Sequence, residues 1–487
     1  MRISPCFSKA AGYNIQRLFI LPIFDMMVSM NYKDFFRGKK ILMMGLGILG
    51  RGVNVAKFLA ECGVKLTITD LKNEEYLASS LKKLSKFKNI KYVLGRHKLS
   101  DFKDKDMVIR AANVPLDSPY IAEARKNNIP VEMDASLFVK ILKLGSSTST
   151  WKLSFQVKIV GITGTRGKST VTHLIYEILK SAGKKVFLGG NVKGLATLPL
   201  LKKVHSKDIV VMELDSWQLQ GFGDNKISPH VAVFTTFLPD HQNYYKNDME
   251  KYFADKANIY RYQKDNDWLM VDQNMAKIIQ DKGGKIKGQV AVVSKKTIPA
   301  SWKVKLLGEH NLNNIALAAE AARKLGIKDS VIKKAVEGFK GLPGRLEFIR
   351  EIKGIKFYND TTATTPDAVM AGLAALKKYK GKIILIGGGA DKELDYAEYA
   401  KTVKKYIKAL ALFKGAASNK IIRALGRAKF PMEIFDNMKG AMKFATANGK
   451  KGDIVLLSPG AASFGVFKNE FDRGEQFNKA VKRIYNK

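Results

Sequence analysis

Residues 157–182 combine three features that few folds accommodate together. These are an apolar run from Val157 to Ile162, a glycine-rich turn and an amphipathic stretch. The turn reads Gly161-Ile162-Thr163-Gly164-Thr165-Arg166-Gly167-Lys168-Ser169-Thr170, and the stretch from about Ser169 to Ala182 carries Val171, Leu174, Ile175, Ile178 and Leu179 at helical spacing. A strand feeding a helix through such a turn leaves the backbone N–H groups of the first helical turn able to face phosphate oxygens. Lys168 can then reach the outer phosphates, and the Ser169 or Thr170 hydroxyl can ligate Mg2+. The usual pattern has glycine five positions before Gly167, where Ile162 stands. The competing reading is an ordinary strand-turn-helix connection.

At 487 residues the chain exceeds one ordinary core and points to about three domains at roughly 100–200 residues each. Its 84 Lys+Arg against 44 Asp+Glu leave a net charge of +40, which favours anionic partners. The basic residues are dispersed, however, and interrupt amphipathic patterns, as in Thr402-Val403-Lys404-Lys405-Tyr406-Ile407-Lys408. They read as solvated helix faces. No basic tail or arginine-rich block is present, so no nucleic-acid partner is expected. The two cysteines, Cys6 and Cys62, form neither a metal-ligand spacing nor a disulfide framework, which fits a reducing compartment. Leu18 to Val28 is apolar, but Pro22 and Asp25 interrupt it. It is too short to span a bilayer, and no small-residue cleavage site follows. Residues 1–30 are therefore expected to be a disordered or loosely docked extension. Met26, Met27 and Met30 just upstream of the first clear strand make an overextended start equally compatible.

A second strand-turn-helix lies near the start. Lys40 to Met44 leads into Gly45-Leu46-Gly47-Ile48-Leu49-Gly50 and a helix to about Cys62, and the strand Lys65 to Thr69 ends at Asp70. This is a complete dinucleotide-type glycine fingerprint with an acid at the distance suited to a ribose or base edge. A unit of the same shape that binds another nucleotide, or none, fits equally well. Gly145-Ser146-Ser147-Thr148-Ser149-Thr150 reads as a flexible insertion. A central unit follows, with strands Ile209 to Leu214 and Val231 to Phe237 and an Ala-rich helix Leu312 to Leu325. The third unit begins at Leu342-Pro343-Gly344-Arg345. In it Ile383 to Ile386 precedes Gly387-Gly388-Gly389, and Ile454 to Leu457 precedes Ser458-Pro459-Gly460. Strands alternating with helices predict an α/β fold with parallel sheets in all three units. The expected divisions are 1–30, 31–133, 134–341 and 342–487.

Several motifs fall in the order found in one family. They are the phosphate loop, Glu213 in Met212-Glu213-Leu214-Asp215-Ser216-Trp217-Gln218-Leu219, Asp240-His241, Lys256 in Ala254-Asp255-Lys256-Ala257-Asn258, and Gly308-Glu309-His310-Asn311-Leu312-Asn313-Asn314. Gly341-Leu342-Pro343-Gly344-Arg345, Tyr358-Asn359-Asp360-Thr361 and Asp391-Lys392 continue the series. The chain from about Lys39 onward resembles the Mur ligases. Ser458-Pro459-Gly460-Ala461-Ala462-Ser463-Phe464-Gly465-Val466-Phe467-Lys468-Asn469 with Arg473-Gly474 resembles the ending of the branch that adds D-glutamate, and the Asp-Asn-Pro-Arg signature of the diaminopimelate-adding relatives is absent.

That resemblance implies three α/β domains: Rossmann-like at the N-terminus, a central P-loop ATPase domain, and Rossmann-like again at the C-terminus. It implies ATP-driven C–N bond formation between UDP-N-acetylmuramoyl-L-alanine and D-glutamate through an acyl phosphate, in a cytoplasmic monomer with no membrane span. By resemblance, Gly164, Thr165, Arg166, Gly167, Lys168, Ser169, Thr170, Asn311, Asn314, Arg345 and Asp360 bind ATP. Ser169 and Glu213 hold one Mg2+, and His241 with a carbamylated Lys256 serves a second; Lys168, Glu213, His241 and Lys256 form the catalytic group. Gly47, Ile48, Leu49 and Asp70 correspond to the uridine diphosphate site, Asn191, Gln218 and His241 to muramoyl-alanine contacts, and Thr364, Lys392 and Ser463 to D-glutamate ligands. Spacing alone makes Lys256 a solvated surface lysine, and Lys392 can equally be a solvated charge. Five positions depart from the family pattern. Arg166 replaces a small polar residue and is open to a phosphate contact or to solvent. Asp215 replaces a serine, which calls for a compensating cation near a diphosphate. Thr362 replaces a lysine, Ala111-Ala112-Asn113 replaces Ser-Pro-Gly, and Glu470-Phe471 shifts an aromatic. Thr362 and Glu470 leave another amino-acid acceptor open.

Overall fold

The computed structural model describes residues 32–112, 114–145 and 157–485. The N-terminal extension, Cys6, Asn113 and the Ser146–Thr150 insertion lie outside the described residues. Three sheets alternate with helices. The first comprises β1 (Lys40–Met44), β2 (Lys65–Asp70), β3 (Ile90–Leu94), β4 (Met107–Arg110) and β5 (Val131–Glu132), in the order β3-β2-β1-β4-β5 with every pair parallel. The second comprises β6 (Lys158–Thr163), β7 (Val186–Gly190), β8 (Ile209–Glu213), β9 (Val231–Phe234), β10 (Trp268–Asp272) and β11 (Gln289–Val293), in the order β11-β10-β9-β6-β8-β7. The third comprises β12 (Glu347–Ile352), β13 (Ile355–Asn359), β14 (Ile383–Gly388), β15 (Ile407–Phe413), β16 (Met432–Phe435) and β17 (Ile454–Leu457), in the order β12-β13-β17-β14-β15-β16.

By compactness the chain divides into two units. One holds residues up to Arg166 with Lys184–Leu269 and Asp281–Val290, and the other holds Gly167–Gly183, Met270–Gln280 and Ala291 onward. The first unit includes the whole first sheet, and the second includes the whole third sheet.

The strands are apolar because both faces of each sheet are covered. In β14, Ile383 and Leu385 enter one core cluster while Ile384 and Ile386 enter another. The same alternation separates Ile454 and Leu456 from Val455 and Leu457 in β17, and Leu410 and Leu412 from Ala409 and Ala411 in β15. A period of two thus feeds two cores, and each fully buried Leu, Ile or Val adds roughly 1.5–3 kcal/mol relative to exposure.

The third sheet corrects the expectation of purely parallel sheets. β12 pairs antiparallel with β13, joined by Lys353 and Gly354, both at positive φ (50° and 77°). Two consecutive left-handed residues make the tight turn that a hairpin needs, and glycine supplies one of them at little cost. Two further elements differ in extent. The ninth strand ends at Phe234 rather than running to Phe237, and the Ala-rich helix begins at Glu309, so the Gly308-to-Asn314 motif forms its first turns.

Each sheet has a strand flanked on either side by strands reached through opposite crossovers: β1 between β2 and β4, β6 between β8 and β9, and β14 between β17 and β15. Crevices at the carboxyl ends of such strands are where open α/β sheets bind ligands. The glycine turn after β1, the phosphate loop after β6 and Lys392 beyond β14 all follow such ends. Among the described residues, no helix is long and apolar enough to cross a membrane.

Candidate active site

In the first unit, the turn after β1 is held from beneath by Asp70, the last residue of β2. Its Oδ2 accepts from the backbone N–H of Leu46 (2.8 Å) and Gly47 (3.2 Å), and its Oδ1 accepts from Lys72 N–H (2.9 Å). The carboxylate expected at a ribose or base edge is therefore engaged in shaping the loop. Ile48 and Leu49 are left 41% and 62% exposed, an apolar surface at the mouth of this crevice. Asn191, which follows β7, lies close by: its Oδ1 accepts from Arg51 Nη2 at 2.9 Å, and Arg51 Nε donates to Leu195 O at 3.2 Å. Arg51 opens the helix that follows the glycine turn, so one arginine ties the first crevice to the segment after β7. Asp134, fully buried, fixes the same segment by accepting from Thr197 N–H (2.9 Å) and Leu198 N–H (2.6 Å), and burial raises its carboxyl above the usual range.

The phosphate loop is pinned by the segment that follows β9. Thr165 N–H donates to Thr236 O (2.7 Å), Arg166 N–H to Thr236 Oγ1 (2.9 Å), and Thr235 Oγ1 donates to Arg166 O. Gly164 sits at φ 141°, and a Cβ there would lie 2.0 Å from Thr235 Oγ1 and 2.8 Å from Thr236 N, so only glycine fits. Arg166 neither points freely to solvent nor stands alone: its Nη1 pairs with Asp240 Oδ2 at 2.9 Å. Asp240 Oδ1 accepts from His241 N–H, and the His241 ring lies 4.6 Å from the Trp217 ring. His241 has φ 53°, an uncommon backbone for a non-glycine residue and a kind of strain found at functional sites.

Lys256 is not the solvated lysine that its spacing favours. It is 1% exposed, and its Nζ donates to Gly164 O at 3.0 Å and lies 4.8 Å above the Tyr252 ring. The helix Met249–Ala257 places it there by presenting Tyr252, Phe253, Lys256 and Ala257 inward. Glu213, at the end of β8, is 6% exposed. Its backbone O accepts from Asn191 N–H at 2.6 Å, and its carboxylate makes no hydrogen bond or ion pair among the described residues. Carboxyl oxygens with no protein partner among the described residues fit a hard cation such as Mg2+. Among the described residues no three His, Cys, Asp or Glu side chains could hold a metal by themselves, so a cation there needs hydroxyl or phosphate oxygens as well.

Asp215 needs no compensating cation. It is the N-cap of the helix Ser216–Asp224, with its Oδ1 accepting from Gln218 N–H at 2.7 Å while Gln218 Oε1 faces Asp215 N–H. This capping box occupies the oxygen of Gln218, one of the residues expected on the donor substrate.

Sequence reasoning missed a buried polar chain beside these residues. Arg110 Nη2 donates to Gln220 Oε1 (2.8 Å), Gln220 Nε2 donates to Asp255 Oδ2 (2.7 Å), and Tyr245 OH donates to the same oxygen (2.9 Å). Burial pushes the Asp255 carboxyl up and the Arg110 guanidinium down. The only sequence signal was Asp255 standing next to Lys256.

In the second unit, Gly167 (φ 86°) is the N-cap of the helix Lys168–Ser181 and, as a glycine, carries no side chain to cap it. A Cβ on Gly167 would lie 2.4 Å from Asn314 Oδ1, and Asn314 Nδ2 donates to Asn311 Oδ1 at 2.9 Å. Asn311 and Asn314 are thus brought against the start of the helix bearing Lys168, Ser169 and Thr170. Arg345 Nη2 donates to Ser169 Oγ at 2.9 Å, which joins two residues expected at the phosphates. Asp360 differs from expectation. It is buried, with Oδ1 accepting from Leu346 N–H (3.1 Å) and Oδ2 from Ser458 Oγ–H (2.8 Å), and burial pushes its pKa up to about 7.

The expected acceptor residues follow β13, β14 and β17. Lys392 Nζ lies 3.1 Å from Thr364 Oγ1. Ala390 and Ala462 form a two-way backbone bridge, which brings the Ser463 loop beside the Lys392 loop. Thr362 donates through Oγ1 to Gly344 O at 3.0 Å. Arg473, 1% exposed, is spent on structure: its guanidinium donates to Thr361 Oγ1, Thr361 O and Ala461 O, and burial lowers its pKa to about 10.

Known proteins place this geometry. Residues 39–132 match the Mur ligase MurD-like N-terminal domain, 162–301 the Mur ligase middle domain, and 344–460 the Mur ligase glutamate ligase domain. The chain is 34% identical to the UDP-N-acetylmuramoylalanine–D-glutamate ligase of Roseiflexus sp. over 91% of its own length and 98% of that protein. It is 35% identical to the protein of the same name from Borreliella afzelii over 92% and 98%. Among solved structures, the UDP-N-acetylmuramate-alanine ligase of Thermotoga maritima aligns with a TM-score of 0.58 at 19% identity, covering 92% of this chain and 99% of that one. The MurF ligase of Thermotoga maritima in complex with ADP aligns at 0.56 and 17% identity, covering 93% and 97%. Phosphate loop, buried lysine and three interleaved α/β sheets agree with a similarity that runs nearly end to end, and the chain belongs to the Mur ligase family, among the UDP-N-acetylmuramoylalanine–D-glutamate ligases.

Proposed function

We infer that this chain is an ATP-dependent ligase that joins D-glutamate to UDP-N-acetylmuramoyl-L-alanine, forming ADP and phosphate, in the cytoplasmic synthesis of peptidoglycan precursors. The observation that carries this reading is the near full-length similarity to ligases bearing that name, together with the approach of Lys392 to Thr364 beside the Ser463 loop. A lysine among hydroxyls suits a dianionic amino acid. The three domains are taken to divide near residues 133 and 341, and the enzyme to work as a monomer.

In this reading the alanyl carboxylate of the donor attacks the γ-phosphorus of ATP and ADP leaves, giving an acyl phosphate. The D-glutamate amine then attacks the acyl carbon, phosphate departs and the amine loses a proton. Negative charge accumulates on oxygen at each stage, so the chain's task is to offset it at fixed positions. Lys168 carries a positive charge to the outer phosphates, while the helix it opens presents amides to them. Arg345, already donating to Ser169, adds a second cation. Ser169 and Glu213 are assigned to one Mg2+ and His241 with Lys256 to a second, which would supply charge neutralisation on the transferring phosphoryl group. Lys256 is assigned a carbamate: a buried ammonium repels a cation, whereas a carbamate offers it oxygens. Asn311 and Asn314 serve the adenosine end, Asp360 holds the Arg345–Leu346 segment in place, and Ile48 and Leu49 cover the uridine end of the donor.

Phosphate release and product mass, measured with ATP, Mg2+ and UDP-N-acetylmuramoyl-L-alanine and with D-glutamate, L-glutamate or other amino acids in separate reactions, test the reading. Turnover only with D-glutamate is expected. Turnover with a different amino acid reassigns the acceptor, and no turnover under any condition refutes the function.

A further inference from the structure

The first unit contains a cavity of about 580 Å³ away from the phosphate loop, between the helix Met249–Ala257 with its following turn and the segment Lys282–Lys285. Lys251, Arg261, Lys282 and Lys285 line it, against Glu250 as the only acid among the described residues of the lining. Lys282 pairs with Glu250 and stands 5.4 Å over the ring of Phe253, which also lines the cavity. Lys251 pairs with Asp248 at 3.0 Å, and Arg261 donates to Asn258 Oδ1 at 3.0 Å. Tyr260 forms part of the wall. It is 2% exposed, and its hydroxyl, which has no hydrogen-bond partner among the described residues, is itself closed to solvent and does not open onto the cavity.

We propose that this cavity is a second anion site, which takes a phosphorylated small molecule of about nucleotide size. The excess of cations matches a multiply charged phosphate group, and Phe253 offers an apolar wall to the remainder of the ligand. Cavities of this volume hold small organic ligands. Dispersed surface lysines account for most of the chain's basicity but not for four basic side chains converging on one concave surface.

The site is placed to influence the ligase reaction. Glu250, Lys251, Phe253, Ala254 and Ala257 face the cavity from one side of a single helix, and Lys256 on the same helix reaches Gly164 O in the phosphate loop. A ligand seated against this helix therefore acts on the residue that touches the loop.

Calorimetric titration of the full chain with inorganic pyrophosphate at fixed ionic strength provides the test, because pyrophosphate probes both this cavity and the phosphate loop. In Lys168→Ala, where the loop is impaired, one pyrophosphate is still expected to bind. Adding Lys282→Ala and Lys285→Ala should weaken that binding at least tenfold. Lys404→Ala with Lys405→Ala, on an exposed helix face elsewhere, should leave it unchanged. Hydrogen exchange at residues 282–285 should slow with pyrophosphate in Lys168→Ala. The site is refuted if Lys168→Ala abolishes all binding, if the Lys404 and Lys405 pair matters as much as Lys282 and Lys285, or if exchange at 282–285 does not respond.

Discussion

Asp360 offers a quantitative test of how the third sheet is held together. Its carboxyl accepts hydrogen bonds from Leu346 N–H and Ser458 Oγ–H, both of which favour the ionised form, yet burial outweighs them and carries the pKa from 3.8 to about 7. Between roughly pH 4 and pH 7 the folded protein keeps a proton that the unfolded chain has released. Stability therefore falls as pH rises through that window and is fully reduced above it. A span of roughly three pH units at 1.36 kcal/mol each amounts to about 4 kcal/mol. Asp360→Asn removes the titration while retaining an acceptor for Leu346 N–H and an amide that can donate to the Ser458 hydroxyl. The variant should match the parent near pH 4 and gain on it progressively, by up to about 4 kcal/mol near pH 8. Urea denaturation at pH 4.5, 5.5, 6.5 and 7.5, followed by circular dichroism, gives the comparison. Because a chain with three sheets need not unfold in one step, the readout is the midpoint of the transition that the substitution moves. Midpoints that run parallel across the pH range would show that Asp360 is ionised in the fold and that burial does not dominate.

Other substitutions address the site directly. Gly164→Ala places a methyl 2.0 Å from Thr235 Oγ1, and ADP affinity measured by calorimetry should fall at least tenfold. Lys392→Ala removes a charge-assisted contact of about 1.5–3 kcal/mol, which should raise the KM for D-glutamate roughly 10- to 100-fold while leaving the donor KM nearly unchanged; an equal rise in both would contradict its assignment. Lys168→Ala should abolish ATP turnover, read as phosphate release. Lys256→Ala should lower kcat by about two orders of magnitude or more, in line with loss of a group supporting charge at the phosphates, and retention of activity would exclude the carbamate.

The strand-turn-helix units around Gly45 and Gly161 were legible because glycine placement and apolar periodicity are local properties. Individual side-chain environments were not. Lys256 reads as a surface lysine in isolation, since nothing within its helix reveals that the Gly164 carbonyl of the phosphate loop meets it. Asp70 and Asp360 sit at positions expected to meet ligand, but their oxygens are taken by backbone amides and a serine that approach only in three dimensions. Asp215 followed by Gln218 three residues later is a capping box visible in the sequence, and attention to a diphosphate obscured it. The antiparallel β12 was likewise signalled by Lys353-Gly354 between two short segments rich in Ile and Phe, a hairpin turn overlooked in favour of helix-strand alternation. The convergence of Lys251, Arg261, Lys282 and Lys285 depends on two segments about 20–30 residues apart, and dispersed charge conceals it.

The pinning of the phosphate loop by Thr235 and Thr236 has a thermodynamic consequence. With the backbone at Thr165 and Arg166 already fixed by hydrogen bonds to the segment after β9, the loop gives up little conformational freedom when a nucleotide arrives. The ordering cost falls on the folding of the second sheet instead of on each catalytic cycle. Release of ADP then requires no melting of the loop, and the cradle stands ready in the same shape for the next ATP.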